Sequence, residues 1–159
     1  MILKQKTSFF HELEVEEISG MTVILDIDGT LTCSSQKDVS QKVIKIIRLL
    51  EQKNSVYAFS NNYDGHRSRE IAKSINVPYI KSPHKKPNKK VLNYIQGEVC
   101  GVIAIGDKYL TDGLFAQFIG AKYIKVNRYK CASDSMVDRL ACILDDLVYF
   151  CAKCLGVVR

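Results

Sequence analysis

Residues 22–30 read Thr22-Val23-Ile24-Leu25-Asp26-Ile27-Asp28-Gly29-Thr30, an apolar run that ends in two acids. A short run of β-branched and apolar residues is typical of a buried strand. Because side chains alternate along an extended chain, Asp26 and Asp28 point the same way and Ile27 points into the core. Gly29 permits a sharp turn and a close approach of backbone N–H groups to an anion. The stretch predicts a strand that presents two carboxylates at its carboxyl end, although Asp-Gly is also common in ordinary turns.

Two carboxylates at this spacing suit phosphate chemistry. Like charges this close repel, so a bound cation or a shared proton is needed to hold both. One carboxylate can serve as nucleophile and metal ligand while the other exchanges protons with a leaving group. Asp26 and Asp28 are therefore candidate catalytic residues.

Strands and helices alternate along the rest of the chain. Apolar runs predict further strands at residues 55–59, 78–80, 101–105 and 123–126. Apolar periodicity predicts helices at residues 39–52, at 66–75, from about Pro87, and at 112–119. This alternation predicts a single α/β domain over residues 1–159, with a parallel sheet covered by helices on both faces. Ligands bind beyond the carboxyl ends of the strands in such sheets.

Two polar clusters lie at the ends of predicted elements: one follows the second predicted strand, and the other precedes the helix predicted from Pro87. Ser60, followed by Asn61, ends the second strand, where a hydroxyl can donate to phosphate; the same residues also suit an ordinary loop start. Lys86 precedes the helix predicted from Pro87, and both a cation and a helix N-terminus attract phosphate. Most of a basic run is nevertheless a solvated face, and this run comprises Lys81, Lys85, Lys86, Lys89 and Lys90.

A third cluster supplies two more acids. Asp107 lies at the tip of the strand predicted at residues 101–105, and Asp112 lies at the start of the next helix. Magnesium prefers carboxylate oxygens, water and substrate phosphate, so these acids suit an open magnesium site. Asp112 is equally suited to be a plain N-terminal helix acid with Thr111 as the cap.

The composition favours anionic partners. The chain has 23 Lys and Arg against 17 Asp and Glu, a formal charge of +6. Such an excess suits phosphate esters, nucleic acid or acidic lipid surfaces without choosing among them. No secretory signal is evident, so we expect an intracellular protein whose cysteines are reduced and mostly small core residues. Cys151 and Cys154 form a CxxC pair inside a helical pattern, without a second Cys/His pair to complete a zinc site.

Taken in order, the four clusters resemble the signature of the haloacid dehalogenase (HAD) superfamily. The matching stretches are DIDGT from Asp26, FSNN around Ser60, KKP around Lys86, and GDKYLTD, which contains Asp107 and Asp112. The resemblance implies a Rossmann-like α/β fold and a magnesium-dependent phosphatase.

The resemblance also implies roles for these residues. Asp26 would attack phosphorus to form an aspartyl-phosphate, while Asp28 would protonate the leaving oxygen and then activate water. Lys86 would balance the negative charge. The phosphoryl group would be bound by Ser60, Asn61, Gly29 and Thr30, and Mg²⁺ would be held by the carboxylate of Asp26, the carbonyl oxygen of Asp28, and Asp107, with Asp112 in or near that shell.

The spacing of the motifs leaves no room for a cap domain. Residues 30–55 and 62–85 are each long enough for a helix and loops only, so we expect an open site suited to large or surface-bound substrates. Among capless branches, the chain is similar to the bacterial and mitochondrial phosphatidylglycerophosphate phosphatase family. The similar stretches are FSNN, NVPYI, KKP and GDKYLTDGLFAQFIGAKYIKV. This similarity implies that the substrate is phosphatidylglycerophosphate, an anionic lipid at a membrane surface.

The C-terminal segment, residues 136–155, is apolar but not a membrane span. Its apolar residues include Leu140, Ile143, Leu144, Leu147 and Phe150, and acids and Arg139 interrupt them. Packing on the sheet is favoured over a position at a membrane surface.

Other functions remain open at this point. A capless phosphatase can act on a soluble sugar phosphate, a nucleic-acid end or a phosphoprotein, and a binding module can keep the same fold without catalysis. The intact acidic set disfavours the binding module, which has no use for Asp28. No specific nucleic-acid motif and no transmembrane segment are evident. We expect the chain in the mitochondrion or the cytoplasm, peripheral on a membrane.

Overall fold

The computed structural model describes residues 8–62 and 65–157. Among these residues a four-stranded parallel sheet has the order β2-β1-β3-β4. The strands are β1 (Thr22–Leu25), β2 (Ser55–Ala58), β3 (Val102–Gly106) and β4 (Lys122–Lys125). The α-helices are α1 (Gln41–Glu51), α2 (Gly65–Ser74), α3 (Leu114–Phe118) and α4 (Met136–Cys154). The predicted Rossmann-like α/β fold is confirmed.

Alternation along β1 divides the core between the two faces of the sheet. Val23 and Leu25 pack with buried residues of α1 and α2, among them Ile47 and Ile71. Ile24 packs on the opposite face with a second buried cluster: Phe59, Ile80, Val91, Ala104, Phe115 and Ala116. Since every residue of β1 is buried, this strand lies at the centre of the molecule and places its carboxyl end inside the protein.

Three of the predicted strands and helices differ from the structure by more than a residue or two at their ends. Residues 78–80 make only an isolated parallel bridge, between Tyr79 and Ala58, and form no strand. Instead of an α-helix from Pro87, a short 3-10 helix spans Lys89–Tyr94, capped by the side chain of Asn88, which accepts from the N–H of Lys90. The helix predicted at 112–119 begins earlier, with a π-helical turn at Tyr109–Gly113 that leads into α3.

The segments that would carry a cap domain hold one α-helix each among the described residues. These helices are α1, between Thr30 and Ser55, and α2, between Asn62 and Lys85. The expected capless architecture therefore agrees with the structure over this part of the chain. That residues 1–159 form one domain stays a prediction.

The expectation that α4 packs on the sheet through its apolar residues is wrong. The buried residues of α4 are Asp145 and Ala152, whereas Leu140, Ile143 and Leu147 are exposed. The helix lies against the π-helical turn through its polar side, because Asp145 accepts hydrogen bonds from backbone N–H groups of that turn.

The expectation of uniformly reduced, mostly buried cysteines is also wrong. Cys33 and Cys131 form a disulfide whose Cα atoms lie 5.5 Å apart, across 98 residues of sequence. Cys100, Cys151 and Cys154 are exposed free cysteines. The loop after β1 and the segment after β4 meet beside the sheet, a proximity that sequence spacing cannot reveal.

None of the helices described is both long enough and apolar enough to cross a membrane.

Candidate active site

The candidate catalytic residues lie where neighbouring strands end. Leu25 is in register with Ala58 of β2 and Ile105 of β3. The next residue, Asp26, donates its N–H to the carbonyl of Ile105 at 2.9 Å. Ser60 and Asp107 follow shortly after their own strands. Parallel pairing therefore brings the predicted polar clusters to one edge of the sheet.

Lys86 joins two of the predicted acids in a buried ionic centre. Its Nζ lies 2.7 Å from Oδ1 of Asp26 and 2.5 Å from Oδ1 of Asp112. The side chains of Lys86 and Asp112 are each 2% exposed. Lys86 thus separates from the rest of its basic run, whose other members are exposed. Burial and the ion pair also show that Asp112 belongs to this centre and is more than a helix-terminal acid.

Asp107 completes a cluster of three acids. One ligand oxygen from each of Asp26, Asp107 and Asp112 lies within 4.8 Å of the others. The Thr30 hydroxyl lies 3.1 Å from Asp26 Oδ2 and 3.4 Å from Asp107 Oδ1, and it accepts the N–H of Asp107 at 3.1 Å. Thr30 therefore holds Asp26 and Asp107 at a fixed separation.

The acid cluster carries the electrostatic signature of a cation site. Burial raises the pKa of Asp26 to about 8, with the charges of Asp112 and Asp107 adding to the effect and Lys86 opposing it. Burial, with the charge of Asp112, also raises the pKa of Asp107 to about 6. Burial alone would lower the pKa of Lys86, but the charges of Asp112 and Asp26 outweigh it and raise that pKa. One lysine does not fully neutralise three buried acids.

The oxygen atoms of these residues fit Mg²⁺ in chemistry and in their mutual spacing. Oδ2 of Asp107 is buried and has no hydrogen-bond partner among the described residues; the nearest cation atom, Nε of Arg128, lies 3.6 Å away. An unsatisfied buried carboxylate oxygen is costly unless a ligand completes it. Oxygen ligands of this kind, with room for water, are what Mg²⁺ prefers.

Two glycines permit the acids to approach the backbone. Gly29 has a φ of +87°, and a Cβ there would lie 2.7 Å from Oδ2 of Asp107. A Cβ on Gly106 would lie 2.3 Å from the carboxylate of Asp112. Glycine at both positions therefore keeps open the space in which the acids converge.

Asp28 faces a different set of partners from the other acids. It accepts a hydrogen bond from the Ser60 hydroxyl at 2.7 Å and forms an ion pair with Arg67. Its carboxylate therefore lies outside the three-acid cluster. If Asp28 contacts a metal ion, the contacting atom is its backbone carbonyl oxygen, as the resemblance implies. The Ser60 hydroxyl, predicted to bind phosphate, is engaged with Asp28 in this structure.

Asn61 fixes the backbone that carries the lysine. Its side-chain Nδ2 donates to the carbonyl of Lys86 at 2.7 Å, and its Oδ1 accepts the N–H of Lys86 at 2.8 Å. The peptide bond between Lys86 and Pro87 is cis. The predicted substrate contacts of Ser60, Asn61, Gly29 and Thr30 stay predictions. The structure shows that Ser60, Asn61 and Thr30 hydrogen-bond to other residues of the site.

Sequence reasoning missed two arginines of the site. Arg67, on the first turn of α2, pairs with Asp28 and donates to the carbonyls of Cys33 and Gln36. Arg128, after β4, lies beside Asp107. Neither stands in a recognisable motif, and basic residues on helices and loops are usually solvated. Only the folded chain brings them to the acids.

Arg67 is a positioning residue for Asp28, and its loss should affect the leaving group. We expect Arg67→Met to lower kcat about tenfold on an alkyl phosphate, whose leaving oxygen needs the proton that the family resemblance assigns to Asp28. On p-nitrophenyl phosphate, whose leaving group needs little protonation, the loss should be much smaller. Arg69→Met, an exposed neighbour on the same helix, is the matched control. Equal loss on both substrates would contradict this role.

Comparison with known proteins identifies a family. The family model described as mitochondrial PGP phosphatase matches residues 6–128. No curated protein and no solved structure matches the chain. The matched residues include all four motifs and end before α4.

Proposed function

The chain belongs to the mitochondrial PGP phosphatase family, and from that premise we propose that it hydrolyses the terminal phosphate of phosphatidylglycerophosphate through an aspartyl-phosphate on Asp26. Membership makes the chain a phosphatase of the phosphatidylglycerophosphatase type. The magnesium requirement, the covalent intermediate and the residue roles are our proposal. The observation that carries it is Asp26 itself: a buried carboxylate at the end of the central strand, held by Lys86 and Thr30 beside two further acids.

The metal site that we propose is made of acids from two strand ends and one helical turn. Asp26, Asp107 and Asp112 supply carboxylate oxygens, and the carbonyl of Asp28 is the fourth candidate. Mg²⁺ would supply charge neutralisation for the phosphoryl group there. The Oδ2 of Asp107, which has no hydrogen-bond partner among the described residues, supports this assignment.

Asp26 and Asp28 divide the chemistry between them. A carboxylate oxygen of Asp26 attacks phosphorus, the bond from phosphorus to the glycerol oxygen breaks, and Asp28 gives that oxygen a proton. Water then attacks the phosphorus of the aspartyl-phosphate and passes a proton to Asp28. Inorganic phosphate leaves, and the Asp26 carboxylate is restored.

The neighbours of these acids position them and balance their charge. Asn61 fixes the backbone of Lys86, and the buried ion pairs with Asp26 and Asp112 hold its ammonium group in place before substrate binds. Ser60 and Arg67 fix the carboxylate of Asp28 on the opposite side. When phosphate enters, the Ser60 hydroxyl can turn to it, because a hydroxyl rotates freely about its Cβ–Oγ bond.

The lipid substrate and a peripheral membrane location are supported by the family and by charge. The formal charge is +6, and Lys81, Lys85, Lys89 and Lys90 are exposed around the buried Lys86. Each cation near an anionic bilayer contributes about 1 kcal/mol to attraction, and salt screens it. The description of the family as mitochondrial favours a mitochondrial membrane.

A substrate panel tests the proposed function. We expect magnesium-dependent release of phosphate from phosphatidylglycerophosphate in mixed micelles, at a kcat/KM at least about tenfold above that for a sugar phosphate, a 5′-phosphorylated oligonucleotide or a phosphopeptide. A variant with Asp26→Asn measures any contaminating phosphatase. Preference for one of the soluble substrates would replace the lipid assignment and keep the phosphatase.

A further inference from the structure

Helix α4 presents an apolar face to solvent. The exposed apolar positions follow helical spacing from Met136 to Leu155, and the exposed charged residues of the helix fall outside this series: Asp138, Arg139, Asp146 and Lys153. The exposed fractions run from 56% for Leu144 to 80% for Met136. The exposed apolar set is Met136, Val137, Leu140, Ile143, Leu144, Leu147, Phe150 and Leu155. A contiguous apolar face of this size on a folded protein marks a contact with something else.

Rotation of α4 about its axis, which would bury the apolar face, is opposed by polar contacts on the opposite side of the helix. The buried carboxylate of Asp145 accepts the N–H groups of Tyr109 and Leu110 at 2.8 and 2.7 Å. Lys125 Nζ lies 3.2 Å from the same carboxylate. The ring of Tyr149 packs on that of Tyr109, with centroids 5.5 Å apart. Turning the helix would leave a buried acid and two backbone donors unpaired, a costly change.

The apolar face lies next to the candidate active site. A cavity of about 590 Å³ is lined by Asp107 and Arg128 on one side and by residues of α4, including Cys142 and Ile143, on the other. Lys125 connects the two sides directly, since its Nζ also donates to the carbonyl of Asp107 at 2.6 Å. A surface that engages α4 would therefore lie at the edge of the site.

Cations border the apolar face. Lys108, Lys130 and Arg139 line the same cavity, and no ion pair of theirs is found among the residues that the structure describes. The other acids that line this cavity are engaged: Lys125 pairs with Asp145 and Asp146, Asp134 accepts the N–H of Cys131, and Asp138 accepts the N–H and the hydroxyl of Ser135. Apolar residues bordered by unpaired cations are complementary to a bilayer with anionic headgroups.

The same surface continues past the end of α4 towards the basic run. Gln117 of α3 donates to the carbonyl of Val157 at 3.2 Å. The next residue of α3, Phe118, is 59% exposed and shares a groove with Lys85 and Lys89. An exposed aromatic residue and two lysines therefore lie between Val157, which follows α4, and the segment that carries Lys86.

We propose that the outward face of α4 docks on an anionic lipid bilayer and holds the active site at its surface. The docking itself needs only the structure of α4, and its link to catalysis rests on the proposed lipid substrate. Insertion to the boundary of headgroups and acyl chains buries such a face without crossing the membrane. A second copy is a poorer occupant, because it would bring two chains of charge +6 and their bordering cations together.

Vesicles that lack substrate test the docking separately from catalysis. The full chain should sediment with phosphatidylglycerol-containing vesicles at low salt and much less with pure phosphatidylcholine vesicles. Leu140→Gln combined with Leu147→Gln should lower the partition coefficient at least about tenfold. Both side chains are exposed, so the melting temperature and the turnover of p-nitrophenyl phosphate should stay unchanged. The matched control, Tyr94→Gln with Val99→Gln, changes two exposed apolar residues elsewhere and should bind as wild type.

Each alternative outcome has a distinct reading. Equal vesicle binding by the α4 variant and wild type would overturn the proposal, as would no binding to anionic vesicles at low salt. A concentration-dependent dimer that the α4 variant dissociates, without vesicle binding, would assign the face to a second copy instead. Asp26→Asn should bind vesicles as wild type, so failure of the phosphatase proposal would leave the binding result standing.

Discussion

Replacing Asp26 by Asn is expected to abolish phosphatase activity, lowering kcat by about three orders of magnitude or more, as loss of a covalent nucleophile does elsewhere. The amide cannot attack phosphorus, whereas the shape of the side chain and its place at the end of β1 are kept. The fold should survive, because the substitution removes a carboxylate whose burial raises its pKa to about 8. Phosphate release from p-nitrophenyl phosphate and the melting temperature are the two measurements.

Asp38→Asn is the matched control for this change, since Asp38 is exposed on the loop before α1. It should keep wild-type turnover. Activity within about tenfold of wild type in pure, folded Asp26→Asn protein would remove Asp26 from the nucleophile role.

Asp107→Asn is expected to weaken Mg²⁺ binding by about two orders of magnitude, because even the loss of an outer-shell partner of a metal ligand costs 10–100-fold. The variant keeps the size of the side chain and its contact with Thr30 while it removes one of three carboxylate charges. Calorimetric titration with Mg²⁺ and the Mg²⁺ dependence of turnover measure the effect. Asp146→Asn, an exposed acid that lines the adjoining cavity, should leave both unchanged. An unaltered Mg²⁺ affinity in Asp107→Asn would exclude this residue from the metal site.

The same acids make the effect of Mg²⁺ depend on pH. The pKa values of Asp26 and Asp107 rise on folding from 3.8 to about 8 and about 6. At pH values from about 4 to about 8, the metal-free folded state therefore binds more protons than the unfolded state. The free energy of unfolding should fall as the pH rises through this range. Mg²⁺ has to displace those protons, and its affinity should rise over the same range. The increase in melting temperature with Mg²⁺ should be larger at about pH 8 than at about pH 5; equal increases would contradict the assignment.

The strands that position the site could be predicted from sequence because their signals are local. The apolar run before Asp26 gives β1 with the bounds that the structure shows, and parallel alternation places Ser60, Asp107 and Asp26 at one edge. The prediction for α4 failed because amphipathic periodicity shows that a helix has two faces without showing which one turns inward. Only the contact of Asp145 with the π-helical turn decides that point.

Long-range pairing accounts for the other differences. The disulfide joins Cys33 to Cys131, and Arg67 reaches Asp28 across 39 residues. Such contacts depend on where loops meet after folding, which residue spacing does not encode. Asp112 shows the same limit in a milder form: its spacing suited a helix cap and a site acid equally, and its ion pair with Lys86 places it in the site.

Trapping of the phosphorylated enzyme tests the covalent role of Asp26 most directly. In Asp28→Asn protein with p-nitrophenyl phosphate and Mg²⁺, the first step should proceed, because the leaving group needs little protonation, while hydrolysis of the intermediate slows. After an acid quench, mass spectrometry should find one added phosphoryl group on the peptide that contains Asp26. The variant that combines Asp26→Asn with Asp28→Asn should show none. A phosphoryl group on another residue such as Ser60, or no added phosphoryl group despite release of p-nitrophenol, would contradict an aspartyl-phosphate at Asp26.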